Sequence, residues 1–251
     1  MPPNTSTILP SGVIVRQYPF LDWKRLKPLI RWDQGQHVLS VGGTGSGKST
    51  VAGEFLPRRR LVVVCVSKGM DEIFEGPYYN QYPTIRRWPG PRRLERVLLR
   101  PHVGRTIRGA HAEKKLAFQK MFDHVLLKLG HWCIVVDEEH YMCETLRLGP
   151  EITDILEQGR AADISMWNNT QRPAGVPLAT YVNSTLGFFF SSHEEYDVKR
   201  LASMRSLHTN PIEMRANIER LDSFTTHELI VVDRTNRIPP VRSIVTRKGS
   251  R

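Results

Sequence analysis

Cysteine is scarce in this chain of 251 residues: Cys65, Cys133 and Cys143 are the only three, and they stand far apart. That excludes a disulfide framework. Cys65 and Cys133 fall inside apolar runs, where a thiol packs as a small hydrophobe. His140 and Cys143 have a metal-like spacing but no second pair beside them, so a zinc site is not expected. Long apolar runs are missing too. No stretch reaches the roughly 20 residues of a bilayer-spanning helix, and Met1-Pro2-Pro3-Asn4-Thr5 lacks the basic and apolar regions of a secretory leader. The expectation is a cytoplasmic protein with no membrane partner. Acidic residues are in deficit: 25 Asp and Glu stand against 36 Lys and Arg, a net charge of +11. Such a surplus sets up a long-range positive field and asks for an anionic partner, nucleic acid first.

What is present is organised around Val38-Leu39-Ser40-Val41-Gly42-Gly43-Thr44-Gly45-Ser46-Gly47-Lys48-Ser49-Thr50, an apolar run leading into a glycine-rich turn and a basic-hydroxyl pair. The spacing from Gly42 through Gly47, Lys48 and Ser49 fits the phosphate-loop pattern G-x-x-x-x-G-K-[ST]. Glycines let the backbone fold so closely that successive N–H groups point at a triphosphate, and the following helix presents its positive end to the same anion. Lys48 then reaches the β- and γ-phosphates, and Ser49 offers a hydroxyl to Mg²⁺. Thr44, Ser46 and Thr50 flank these positions as part of the cradle or as helix-start hydroxyls.

The rest of the chain predicts an α/β fold with a mostly parallel central sheet flanked by helices. Leu61 to Val66, Trp132 to Val136, Ile164 to Trp167 and Leu186 to Phe190 read as further strands, the first a continuous β-branched run of the kind buried on both faces. Helices are expected over Asp22–Lys27, Lys48–Phe55, His111–Leu129, Ile152–Gln158, Glu194–Met204 and Pro211–Leu221, the last capped by Asn210. Glu228–Val232 and Val241–Thr246 read as a closing hairpin. Residues 1–35 form an N-terminal arm with a short strand at 13–15 and the first helix. Residues 36–232 make the core, with a basic insertion at about 76–110 that carries a short helix at Pro91–Leu99. Residues 233–251 are the closing strand and a basic tail. The insertion concentrates Arg86, Arg87, Arg92, Arg93, Arg96, Arg100, Arg105 and Arg108. Together with Arg58-Arg59-Arg60, Lys114 and Lys115, these make a candidate surface for a nucleic-acid backbone.

The acids carry the second half of the chemistry. The run Trp132 to Val136 passes straight into Asp137-Glu138-Glu139. An acid at that strand end holds the Mg²⁺ that Ser49 also touches, which assigns the metal to Ser49 and Asp137. Glu138 is placed to orient or deprotonate the attacking water, with Glu139 in reserve. The interval from Lys48 to Asp137 is too long for one strand–helix crossover, so an extra strand intervenes, the additional-strand arrangement with a catalytic Glu. Thr170-Gln171 is the polar tip of the next strand and the candidate sensor of the γ-phosphate. A Leu-Ser-Gly-Gly-like run of transporter ATPases and an Asn-Lys-x-Asp guanine motif are both absent.

Lys68, Asp137-Glu138-Glu139, Gly159-Arg160, Thr170-Gln171-Arg172-Pro173 and Val176-Pro177 occur in an order that resembles the HerA/FtsK superfamily of DNA-pumping ATPases, whose fold is RecA-like. The compact length is similar to that of its viral and phage genome-packaging members. At one place the chain departs: Val66-Ser67-Lys68 stands where cellular members commonly have Asp-Pro-Lys. The resemblance implies ATP as the nucleotide, catalytic roles for Lys48, Glu138 and Gln171, and Arg160 as a finger offered to a neighbouring subunit. It also implies a homo-oligomeric ring of five or six subunits around double-stranded DNA, and the basic insertion, with Arg86, Arg87, Arg92 and Arg93, is the candidate surface to grip it. A viral packaging motor would meet a capsid or portal protein in the host cytoplasm. A conjugation or segregation pump remains an alternative, as does a nucleotide-dependent assembly switch bound to nucleic acid or to a protein.

Overall fold

The computed structural model describes residues 6–8, 14–67, 72–89, 94–101, 106–192, 195–202, 211–223, 225–235 and 237–246. Its strands and helices in chain order are β1 (Ser6–Ile8), β2 (Ile14–Arg16), α1 (Trp23–Leu26), β3 (His37–Val41), α2 (Lys48–Phe55), β4 (Val62–Cys65), β5 (Thr84–Ile85), β6 (Arg96–Leu99), α3 (Ile107–His124), β7 (Cys133–Val136), α4 (Gly149–Gln158), β8 (Ser165–Thr170), α5 (Leu178–Asn183), β9 (Ser184–Phe190), α6 (Glu195–Ala202), α7 (Pro211–Ile218), β10 (Glu228–Asp233) and β11 (Val241–Ile244).

Among the described residues nine strands form one sheet in the order β11-β10-β9-β3-β8-β7-β4-β6-β5. From β9 to β5 every neighbouring pair is parallel, and β10 runs antiparallel to both β9 and β11. In β4 and β7 all four residues are buried, as continuous apolar runs require when helices cover both faces. Strand β8 lies between β3 and β7, so an additional strand separates the glycine-rich loop from Asp137. Its register, Val41 opposite Thr170 and Val136 opposite Asn168, brings the carboxyl ends of all three to one edge.

One face of the sheet packs Val38, Val64, Val135, Trp167 and Phe188 against Phe55 of α2. The other sets Val63, Ile134 and Met166 against Phe118 and Phe122 of α3 and Ile152 and Ile155 of α4. Farther along that second face, Leu39, Val41 and Ile230 meet Met214 and Ile218 of α7. Among the described residues no helix is long and apolar enough to cross a membrane.

Several local expectations need correction. The helix expected over Pro91–Leu99 does not form where the chain is described: Arg96–Leu99 is strand β6, parallel to β4, and Pro91 to Arg93 lie outside the described residues. Val97 and Leu99 face one core cluster and Leu98 the other. A free parallel edge with apolar layers on both sides outweighs the helical preference of Leu94-Glu95-Arg96. The arm also carries a strand pair, Ser6–Ile8 antiparallel with Ile14–Arg16. Helix α3 starts earlier than expected, with the Thr106 hydroxyl accepting from the Gly109 N–H, and it ends in a π-turn at Val125–Leu129. Leu116 and Leu129 of that stretch are exposed. Strand β8 continues through Asn168 and Asn169 to Thr170, so its polar tip is Gln171 onward. The Asn210 cap lies outside the described residues. Asp22 does cap α1, accepting from the Lys24 N–H.

Candidate nucleotide site

Strand β3 delivers the chain into the turn from Gly42 to Gly47, and α2 carries it away. Gly45 (φ +80) and Gly47 (φ +112) adopt left-handed backbone that side chains disfavour. Gly42 is required for space: a Cβ there would stand 2.6 Å from Phe190 Cβ and 2.8 Å from Ser46 Oγ. Gly43 and Thr44 form the outer lip, and Thr50 is buried in the first turn of α2. Lys48 is buried with its Nζ over the loop, donating to the Gly42 carbonyl and, at 2.8 Å, to that of Gly43. Ser49 is fixed from behind, its carbonyl accepting from the Tyr79 hydroxyl at 2.8 Å.

The three acids after β7 point to three different places. Asp137 lies towards the end of β4, its two carboxylate oxygens accepting from the Ser67 N–H at 3.1 and 3.0 Å. Glu138 turns to β8, where Oε1 accepts from Thr170 Oγ1 at 3.3 Å and the Gln171 N–H at 3.1 Å. Its Oε2 is buried without a hydrogen-bond partner among the described residues. Glu139 is fully buried on the other side, where it accepts from the Thr180 hydroxyl of α5. Burial pushes its carboxyl up to about 8, with the Thr180 bond opposing and the Glu138 charge adding to the rise. Glu139 is therefore sealed into α5, a helix that the sequence analysis missed. Gln171 closes the circuit, for its Oε1 accepts from the Thr44 hydroxyl at 3.0 Å. Loop, sensor tip and Glu138 are thus joined by direct hydrogen bonds.

The donor set suits magnesium, which prefers one or two carboxylates together with substrate phosphates to an all-protein cage. Asp137 and the Ser49 hydroxyl are such a set, and no cluster of three or more metal-ligating side chains exists among the described residues.

Arg160 lies elsewhere. It is exposed in the short turn Gly159–Ala162, its carbonyl 3.4 Å from where a Cβ on Gly35 would stand. That is the amino end of β3, opposite the glycine-rich loop. Its charge reaches His37, the first residue of β3, which burial drives down to about 4, with Arg160 reinforcing the fall. His37 Nδ1 accepts from the Met166 N–H at 3.1 Å, a role that protonation would end. A histidine held below its unfolded value near 6.5 contributes stability above that pH and loses it as pH falls. Stability should therefore drop between pH 6.5 and about 4 by up to about 1.4 kcal/mol per unit. Denaturant melts across that range should show a shallower slope for His37→Asn.

The basic residues divide in two. Arg58 donates to the carbonyls of Ile30 and Lys27, Arg59 to that of Trp32, and Arg96 to those of Arg59 and Pro57. Arg59 also lies 4.0 Å over the Trp32 ring. All three clamp backbone carbonyls, and Arg59 is buried, a correction to its place in the candidate surface. Arg86 and Arg87 remain exposed just past β5, at the same sheet edge as the loop. Arg92, Arg93, Arg105 and Lys68 lie outside the described residues. Lys114 is the residue that composition misplaced: it reaches the carboxyl end of β4 and donates to the Ser67 carbonyl at 2.6 Å. A lysine on the buried stripe of a helix was the available signal.

No protein-family model and no curated protein sequence matches the chain. Solved structures do. B204, the DNA-packaging ATPase of Sulfolobus turreted icosahedral virus, superposes with a TM-score of 0.58 at 16% identity, covering 87% of this chain and all (100%) of its own. The chain has the RecA-like P-loop NTPase fold. The conjugation coupling protein TcpA of pCW3, with ATPγS, shares that fold at a TM-score of 0.52 and 13% identity over 95% of this chain and 75% of its own. So does the cytoplasmic domain of the type VII secretion ATPase EccC from Thermomonospora curvata, at 0.55 and 13% over 96% of this chain and 28% of that one. The likeness to packaging ATPases read from the motifs holds at the level of fold.

Proposed function

We propose that this P-loop protein is an ATP-driven double-stranded DNA translocase that works as a ring, most fittingly to package a viral genome. The observation that carries the reading is the hydrogen-bonded circuit from Thr44 through Gln171 to Glu138, with Asp137 next to Glu138 in the chain. A circuit of this kind lets the γ-phosphate, the attacking water and the metal ligand report on one another. The packaging role draws on B204, which is matched along the whole of its own length. TcpA supports the runner-up, a conjugation pump.

In this mechanism Lys48 exchanges the Gly42 and Gly43 carbonyls for phosphate oxygens. Ser49 and Asp137 would hold Mg²⁺, which would supply positive charge against the charge developing on the transferred phosphoryl group. Glu138 takes the proton of the attacking water on Oε2, while Thr170 and the Gln171 N–H hold Oε1. Arg160 cannot serve the loop of its own subunit, since the length of β3, about 3.3 Å per residue, separates the two edges. It serves a neighbour. DNA is gripped by Arg86 and Arg87, with Arg92 and Arg93 beside them in sequence, through phosphates and without reading bases. The setting is the host cytoplasm, against a capsid or portal protein. Residues 36–232 are the motor core, 1–35 an arm and 233–251 a closing strand and tail.

The test is steady-state ATP hydrolysis with and without long double-stranded DNA, with light scattering on the same samples. A DNA-stimulated multimer is expected. Arg160→Ala and Glu138→Gln should each be inactive, the former by about 10³–10⁵, yet mixing them should restore activity, because an intact Glu138 then faces an intact Arg160. A monomer whose slow hydrolysis ignores DNA would favour the assembly switch.

A further inference from the structure

The buried stripe of α3 runs through Ala110, Ala117, Phe118 and Met121, and Lys114 interrupts it one turn from both Ala110 and Phe118. A lysine there must send its ammonium to the end of the layer. It goes to the nucleotide edge. Nζ donates to the Ser67 carbonyl at 2.6 Å and lies 5.4 Å from the centroid of the Tyr141 ring. His111, on the preceding turn of α3, packs edge-on against the same ring at 6.0 Å. Ser67 follows β4, and its N–H is the group bonded to both oxygens of Asp137. One residue is thus held from two sides, its carbonyl by Lys114 and its N–H by Asp137. Burial lowers the proton affinity of Lys114 while the Asp137 charge raises it, so the ammonium and the carboxylate lie within electrostatic reach.

We propose that Lys114 is a positioning residue for the metal-binding carboxylate: by holding Ser67 it fixes the N–H that orients Asp137. The inference rests on the reading of Asp137 as a Mg²⁺ ligand. Partners that orient a metal-ligating side chain from behind typically govern metal affinity by 10–100-fold. Lys114 acts from α3, well away in sequence from both the loop and the acids.

The experiment is calorimetric binding of the non-hydrolysable analogue AMPPCP, in EDTA and in excess Mg²⁺, for the wild-type protein, Lys114→Met, Lys114→Arg and Asp137→Asn. Lys114→Met keeps the aliphatic stem and loses the charge. Its metal-free affinity should stay within about twofold of wild type, while the tightening produced by Mg²⁺ should shrink by about tenfold. Lys114→Arg should retain most of it. Full Mg²⁺ tightening in Lys114→Met overturns the inference, as does an equal loss with and without metal, which would mark a packing role. If Lys114→Met does not fold, as judged by its thermal melt, Lys114→Gln is read by the same criteria. Mg²⁺ tightening that survives in Asp137→Asn, or is missing in the wild type, overturns the metal assignment itself and this inference with it. That pattern differs from failure at Lys114 alone.

Discussion

Glu138→Gln should lower kcat for ATP hydrolysis by about 10²–10⁴, the span of a positioned general base, while nucleotide affinity stays close to that of the native protein. The argument is geometric. Oε1 is committed to Thr170 and to the Gln171 N–H, and the amide oxygen of Gln accepts both bonds equally well. Oε2 is buried with no hydrogen-bond partner among the described residues, so a lone pair is left to meet the water. Substitution replaces that lone pair with an N–H₂ donor and leaves the shape intact. Single-turnover hydrolysis beside equilibrium nucleotide binding separates the two effects. A variant that still turns over at near-native rate would remove Glu138 from the mechanism. Glu139 could not then take its place without breaking its bond to Thr180 and leaving the interior, and Glu139→Gln, isosteric with the protonated acid, should be mild.

The largest expected loss of stability is at Trp167. Its side chain is fully buried, stacked on Phe188 at 5.3 Å and 10° and packed edge-on by Trp32 at 5.2 Å, with Phe55 at 5.8 Å. The indole N–H donates to Asn169 Oδ1 at 3.2 Å. Trp167→Ala empties the centre of the face beneath α2 and strips a buried amide of its donor, so about 3–5 kcal/mol should be lost. That is a large share of the roughly 5–15 kcal/mol available to a typical domain. Urea titration should show a lower midpoint with an unchanged slope, whereas a changed slope would point to an altered unfolded state. Because Trp167 and Thr170 share β8, the variant should also loosen Glu138, even where the protein remains folded.

The glycine-rich loop, α2, β4 and β7 were legible because each is over-determined locally. A β-branched run bounded by turn residues has few alternatives, and the loop spacing is a steric requirement rather than a preference. Strand β6 was not legible, since Leu94 to Leu99 reads as a helix until the edge of β4 is there to receive it. The short α5 between Pro177 and β9 gives too little periodicity to detect. Charge counting failed in a different way. Arg58, Arg59 and Arg96 look like surface, and only the folded chain reveals that backbone carbonyls of Lys27, Ile30, Trp32, Pro57 and Arg59 need them. At the site, the sequence named the acids but not their directions. Three consecutive carboxylates diverge to β4, β8 and α5, and that divergence decides which can be a ligand, which a base and which a core residue.

In the ring proposed above, the separation of Arg160 from the glycine-rich loop, at opposite ends of β3, would make each protomer a piece with a giving side and a receiving side. Such pieces join head to tail and close by rotation, not by the self-complementary contact of a two-fold dimer. Every active centre then belongs to a junction, so catalytic capacity is counted in adjacent pairs rather than in chains. A protomer lacking both Glu138 and Arg160 disables the junction on each of its flanks. In random mixtures with such a protomer, the surviving activity follows the square of the intact fraction, and a motor built this way is unusually intolerant of a single defective member.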